Sequence, residues 1–253
     1  MTSSGESKRR LPGLTVKEGF TPHPFDVENG VRTSGLVAGR HLKSGHAHDR
    51  HATAYYGVAP SVFHKLMERW QRARPAPAIE QTTFIDIGAG MGRAVLLAAE
   101  MPFRQVIGVE LHPALVRVAR RNVAAWRQGG RVKAPTRMVH ADAVEFVIAP
   151  GPTLLFLFNP FGAVVMRRLL KRLMCVFADR AGALDLLYVN DEQAWVFEQQ
   201  KGFAKLFAGK VPRSRADTEA DKRILDNQPD GEYASAPYED CSIWRWTGVD
   251  VYG

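Results

Sequence analysis

The run Asp86-Ile87-Gly88-Ala89-Gly90-Met91-Gly92 constrains this chain of 253 residues more than any other stretch. Glycine at alternate positions lets the main chain turn sharply and approach a ligand closely, and a helix start beyond it offers free N–H groups. The run follows Thr83 to Ile87, which reads as a strand, and precedes a helix expected from about Met91 to Glu100. Strand and helix patterns go on alternating downstream. Gln105 to Val109 reads as a strand, and Pro113 to about Gln128 as a helix with proline at a permitted first turn and Gly129-Gly130 at its end. Arg137 to His140 reads as a short strand and Asp142 to Val147 as a short helix. Thr153 to Phe158 is apolar throughout, as in a strand buried on both faces. A helix from about Ala163 to Ala178, a strand at Leu184 to Val189 and a helix at Glu192 to Gln200 follow. Phe203 to Ala208 and Ser242 to Trp246 read as a terminal strand pair. The alternation predicts an α/β, doubly wound, mostly parallel sheet with helices on both faces.

Upstream, residues 1–19 are polar and basic and read as a disordered tail. Phe20 to Gly57 is irregular and rich in Gly, His and Pro, so it is either disordered or folded onto a site. Ser61 is placed to cap a helix whose stripe is Val62, Phe63, Leu66, Met67 and Trp70, and Arg74-Pro75-Ala76-Pro77 stops it. The expected organisation is a tail over 1–19, an N-terminal cap segment and helix over 20–78, and a domain over 79–253. Within that domain 213–240 is a polar insertion with four basic and eight acidic residues. It reads as a mobile surface loop or as a lid or substrate arm.

The chain carries 34 Lys and Arg against 26 Asp and Glu, a net +8, which points towards a polyanionic partner. No apolar run is long enough to span a bilayer, and no apolar segment follows the basic start, so no membrane association or secretion is expected. Two cysteines, Cys175 and Cys241, are too few for a disulfide scaffold, which suits a cytoplasmic location. Cys175 lies in the apolar stretch Leu173 to Phe177 and reads as core.

Three acids accompany the glycine turn. Asp86 precedes the first glycine, Glu110 closes the next strand where a carboxylate can accept ribose hydroxyls, and Asp142 follows the third strand where an acid can meet an adenine edge. Arg93 stands where a dinucleotide fingerprint needs glycine.

On these residues the sequence resembles the class I S-adenosylmethionine-dependent methyltransferases. Asp86 to Gly92 matches that family's acid-x-G-x-G-x-G motif, Glu110 its second acid, and Asp142 in Ala141-Asp142-Ala143 its third. The resemblance implies S-adenosylmethionine as cofactor, no resident metal, and a seven-stranded sheet with the last strand antiparallel behind an N-terminal helical or irregular extension. It implies cofactor contacts from Asp86, Gly88, Ala89, Gly90, Gly92, Glu110, Asp142 and Ala143. Thr82 to Gly108 looks similar to Dot-type and related lysine methyltransferases, with paired Ala98-Ala99 and a second strand ending Gly-x-Glu. Tyr55 and Tyr56, in Tyr55 to Ser61, look like the tyrosine segment those enzymes lay over the cofactor, although packing under a loop would explain them equally.

Asn159-Pro160-Phe161-Gly162 follows the fourth strand and is similar to the Asn/Asp-Pro-Pro-aromatic motif of amino-group methyltransferases, with its aromatic one place early. It implies that Asn159, Pro160 and Phe161 border the methyl acceptor and that Asn159 also meets the cofactor. A strand-end turn is the simpler reading of the same residues. The expected acceptor is an amino group, on a protein side chain ahead of a nucleic acid or small molecule. A non-catalytic cofactor-binding module is the other class of function.

His46, His48 and His51 cluster with Asp49, but the spacing fits no ordinary zinc pattern. Arg117 to Arg137 holds seven basic residues and no acid. Arg117, Arg120, Arg121 and Arg127 form a solvated helix face or, alternatively, a phosphate-tracking surface for nucleic acid.

Overall fold

The computed structural model describes residues 22–226 and 235–248. The expected tail over 1–19 lies outside them. The sheet has the order β3-β2-β1-β4-β5-β7-β6, made of β1 (Thr83–Ile87), β2 (Gln105–Glu110), β3 (Thr136–His140), β4 (Thr153–Phe158), β5 (Leu184–Val189), β6 (Phe203–Pro212) and β7 (Tyr238–Trp246). Pairing is parallel from β3 across to β5, and β7 runs antiparallel to both of its neighbours. This is a doubly wound seven-stranded sheet with one reversed strand.

Alternation along the strands sorts the core. Phe84, Val106, Leu154 and Phe156 face α3 (Arg93–Ala99) and α4 (Pro113–Gln128), joined by α2 (Pro60–Arg72) through Phe63, Leu66 and Trp70. Ile85, Ile107, Leu155 and Leu186 face α5 (Ala163–Val176) and α6 (Ala194–Glu198). The chain winds outward from β1 to β3 and then returns beside β1 as β4. The carboxyl ends of β1 and β4 therefore flank the crevice where open α/β sheets take ligands.

Several expectations are corrected. The polar insertion is not a loop over its described part. β6 runs on to Pro212, β7 starts at Tyr238, and α7 (Arg215–Asp226) lies between them with Asp217, Ala220, Asp221 and Ile224 buried. Two of those inward positions are acids, which hides the helical stripe from a hydropathy reading; 227–234 lies outside the described residues. Of the two readings of Phe20 to Gly57, the described part, 22–57, takes the folded one: it holds α1 (Pro24–Asn29) and 3-10 turns at Gly39–His41 and Ala47–His51. Asp142 to Val147 is a turn, not a helix, in which Asp142 Oδ1 accepts from the Val144 amide at 2.7 Å. Ala59 is the N-cap of α2, and the Ser61 amide donates instead to Asp217 Oδ2 at 2.9 Å. Cys175 is exposed, because on α5 it points away from the buried Leu173, while Cys241 is buried. Among the described residues no helix is long and apolar enough to cross a membrane.

Candidate functional site

The glycine turn is shaped against two side chains. Gly88 has φ +76°, and a Cβ there would stand 2.6 Å from Pro160 Cβ; Gly90 has φ +54°, and a Cβ would overlap the Tyr55 ring. Only glycine combines that backbone with that closeness. Gly92, at φ +89°, faces Ala119 and Met138.

Above the turn, at the carboxyl edge of β1, β2 and β4, lies a cavity of about 100 Å³. That is several times the roughly 10–15 Å³ one water needs. Tyr55, Tyr56, Asp86, Gly88, Ala89, Glu110, Asp142, Ala143, Pro160 and Phe161 all line it. Gly90, Gly92 and Asn159 do not. The residues that the resemblance grouped around one ligand thus converge, except for two glycines used for packing and an asparagine turned elsewhere.

The acids differ in how far the protein satisfies them. Asp86 is 4% exposed and makes no hydrogen bond among the described residues; burial, and then the nearby Glu110 carboxyl, push its own carboxyl well above the usual range. Glu110 accepts from Gly90 N at 2.8 Å and His112 N at 2.7 Å, yet burial still raises it. Each of its oxygens keeps a lone pair. Asp142 Oδ2 meets His48 Nδ1 at 2.6 Å, and His48 Nε2 meets Arg168 Nη1 at 2.9 Å. These partners fix His48 as the neutral tautomer that donates to Asp142 and accepts from Arg168. His46 Nδ1 stands 3.5 Å from the same Asp142 oxygen, so His46, His48 and Asp142 have the spacing of a metal site. Both ring nitrogens of His48 are already paired, and the Arg168 cation beside it opposes a second cation.

The cap roofs the cavity by main-chain pairing. Val37 and Tyr55 exchange hydrogen bonds at 3.0 and 2.8 Å. Ala52 bridges antiparallel to Phe161, Gly162 N donates to His51 O at 3.0 Å, and Thr53 N donates to Pro160 O at 3.4 Å. The Thr53 hydroxyl donates to the Asn159 carbonyl. Asn159 itself takes φ +36°, a left-handed turn that asparagine tolerates. Its side chain lines a second cavity of about 390 Å³ with Asn190, Arg213, Tyr238, Glu239 and Asp240. The two cavities share Thr53, Ala54, Tyr56 and Phe158 as a common wall.

Residues that the sequence reading missed hold this wall. Arg93, 2% exposed, donates to Thr33 Oγ1 at 2.7 Å and to the carbonyls of Gly57 and Val58 at 3.1 and 3.3 Å, with Asp26 at 3.8 Å. The side chain noticed only for not being glycine ties the glycine turn to the cap. Tyr56 donates its hydroxyl to Asp221 Oδ1 at 2.5 Å, and Arg213 pairs with both Asp221 and Glu239. Burial and the Asp221 charge push the Tyr56 phenol up, so it stays protonated.

No family model matches the sequence, and no curated protein matches it. Solved structures do. Magnesium protoporphyrin IX methyltransferase from Synechocystis, with S-adenosylmethionine bound, is 15% identical at a TM-score of 0.46, over 74% of this chain and 78% of that one. An rRNA methylase from Streptococcus thermophilus is 11% identical at 0.43, over 72% and 95%. The Pyrococcus abyssi tRNA (uracil-54, C5)-methyltransferase, in complex with S-adenosylhomocysteine, is 15% identical at 0.42, over 71% of this chain and 37% of its own, so this chain spans little over a third of that enzyme.

Proposed function

We propose that the chain is an S-adenosylmethionine-dependent methyltransferase that acts on an amino nitrogen, with a protein side chain as its carrier. One observation carries the reading. Asp86, a buried carboxyl with no hydrogen-bond partner among the described residues, faces a cavity that also receives Glu110 and Asp142. Acids in that arrangement suit a ligand with a cationic amino group, a vicinal diol and an N–H₂ edge. Asp86 holds the amino group, the free lone pairs of Glu110 take the ribose hydroxyls, and Asp142 meets the adenine once His48 releases it. When bound, the cofactor supplies an activated sulfonium methyl, so the protein's task is chiefly positioning.

Tyr55 and Phe161 exclude water from the cavity. Asn159 faces the outer cavity at the shared wall, where its side-chain oxygen accepts from the acceptor nitrogen. The carbonyls of Asn159 and Pro160 already accept from Thr53, and Asn159 Oδ1 accepts only a long bond of 3.5 Å from the Tyr188 hydroxyl, which leaves that oxygen a lone pair for this. No residue at the wall acts as a base. The acceptor loses its proton by desolvation as it enters. Asp240 lines the outer cavity and favours the approach of a cationic side chain, while Glu239 there is paired with Arg213.

Isothermal titration with S-adenosylmethionine tests the cofactor, and absence of binding overturns the reading. Transfer of labelled methyl from it to cell extract, followed by protease or nuclease, tests the carrier. Label lost to protease supports a protein side chain. Binding without transfer leaves a cofactor-binding module. A second reading, methylation of nucleic acid, is favoured by the exposed face of α4, where Arg117, Arg120, Arg121 and Arg127 sit with no acid on the helix.

A further inference from the structure

A third cavity, of about 710 Å³, lies on the outer side of the cap between the turns at Gly39–His41 and Ala47–His51. It shares Leu42, Ala52, Thr53 and Ala54 with the inner cavity, so the two stand back to back across one stretch of chain. Its charge is one-sided. Arg40, Lys43 and Arg50 line it and are exposed, with the His46 ring among them. Among the described residues Asp49 is the sole acid on its wall, and its carboxylate is consumed locally by Ser44 N at 2.7 Å, Ser44 Oγ at 2.6 Å and Gly45 N at 2.8 Å. Those bonds, acting against burial, hold Asp49 below the usual range, so it stays an ionised anchor for the loop.

The basic lining does not end at the cavity. Leu42 shares a buried cluster with Leu115, against which Val118 packs, and the Lys43 main chain lies near the His112 ring, so Lys43 sits near the first turn of α4. From there Arg117 and Arg121 point outward, about 6 Å apart along the axis. We propose that this cavity and the α4 face form one track for the phosphodiester backbone of a single-stranded nucleic acid. The walls explain the choice of a single strand. Gly39, Gly45, Ala47, Ala52 and Ala54 line a cavity of about 710 Å³, which has room for a short stretch of one sugar-phosphate backbone and not for the cross-section of a duplex. The track is a docking site, independent of which molecule carries the acceptor nitrogen and of whether the inner cavity binds a cofactor.

The test is fluorescence anisotropy of labelled 12-nucleotide single strands, RNA and DNA in separate arms, on the full chain without cofactor. Lys43→Glu/Arg50→Glu and Arg117→Glu/Arg121→Glu are each expected to weaken binding of at least one strand at least tenfold. Each is also expected to lower the slope of log affinity against log salt by about 0.7 per lost contact. Arg180→Glu/Lys201→Glu, at the opposite edge of the sheet, is expected to stay within twofold. All substituted side chains are exposed, and an unchanged Tm confirms that the fold is intact. The proposal is overturned by no binding of either strand, by salt-independent binding, or by control variants that weaken binding as much. Equal affinity for a duplex, or displacement by polyglutamate as effective as by unlabelled strand, overturns it too. Because cofactor is absent throughout, failure of S-adenosylmethionine titration leaves this outcome untouched.

Discussion

Asp86 concentrates the conflict between stability and binding. Its carboxyl is raised from 3.8 by burial and by Glu110, so the folded state binds a proton the unfolded state has released. Stability is therefore full below about pH 3.8 and falls as pH rises through the raised folded value. Asp86→Asn should remove that fall, giving a higher urea midpoint than the parent at neutral pH, while S-adenosylmethionine affinity drops at least tenfold. A variant that kept full affinity would detach Asp86 from the cofactor. Gly88→Ala should act differently: positive φ and contact with Pro160 together predict a loss of about 1–3 kcal/mol, read as a lower Tm. Both residues were legible in the sequence, because a strand-turn-helix with spaced glycines leaves few alternatives. Arg93 and Thr53 were not. An arginine buried among Thr33, Ser34, Gly57, Val58 and Asp26, and a threonine bonded to a distant turn, look in one dimension like ordinary surface residues.

At the scale of elements, α7 shows where sequence reading stops. Its buried face mixes Ala220 and Ile224 with Asp217 and Asp221, whose partners Ser61, Tyr56 and Arg213 lie on other elements. No local periodicity reveals acids neutralised at long range. The terminal strands grew beyond expectation for the same reason, since ladder pairing between β6 and β7 carries polar residues that propensity assigns to loops. Removing the central cation should be severe. Arg213→Ala strands the buried Asp221 carboxylate and the half-buried one of Glu239, and is expected to cost about 3–5 kcal/mol in urea unfolding. Asp217 reports on the same element through pH. Burial would raise it, but His23 and Ser61 overcome that and hold it below 3.8. Its contribution is present above about pH 3.8 and is lost as pH falls towards the lower folded value. Asp217→Asn should flatten the acid limb of the stability profile between about pH 5 and pH 2; an unchanged limb would contradict the pairing.

Over the whole molecule, charge is divided by region. The α4 face and the outer cap are basic, while Glu239 and Asp240 at the start of β7 line the second cavity with Arg213. A net +8 therefore describes two surfaces of opposite character. The alternation of strands and helices was readable in the sequence, but the strand order and the assignment of each charge to a surface required the fold, since the cap and α4 are joined through the buried cluster of Val37, Leu42, Tyr55, Met91 and Leu115.

The pairing of His51 and Thr53 with the turn after β4 has a kinetic consequence. A ligand in the inner cavity is expected to leave when that short seam parts, so that local unfolding of the cap sets its residence time. Amide hydrogen exchange at Thr53 and Gly162 should then slow when S-adenosylmethionine is bound, and should share its temperature dependence with the dissociation rate. Thr53→Val, which deletes the bond to the Asn159 carbonyl, is worth about 1 kcal/mol and should shorten that residence about fivefold. An unchanged dissociation rate in stopped flow would mean that the ligand leaves by another path.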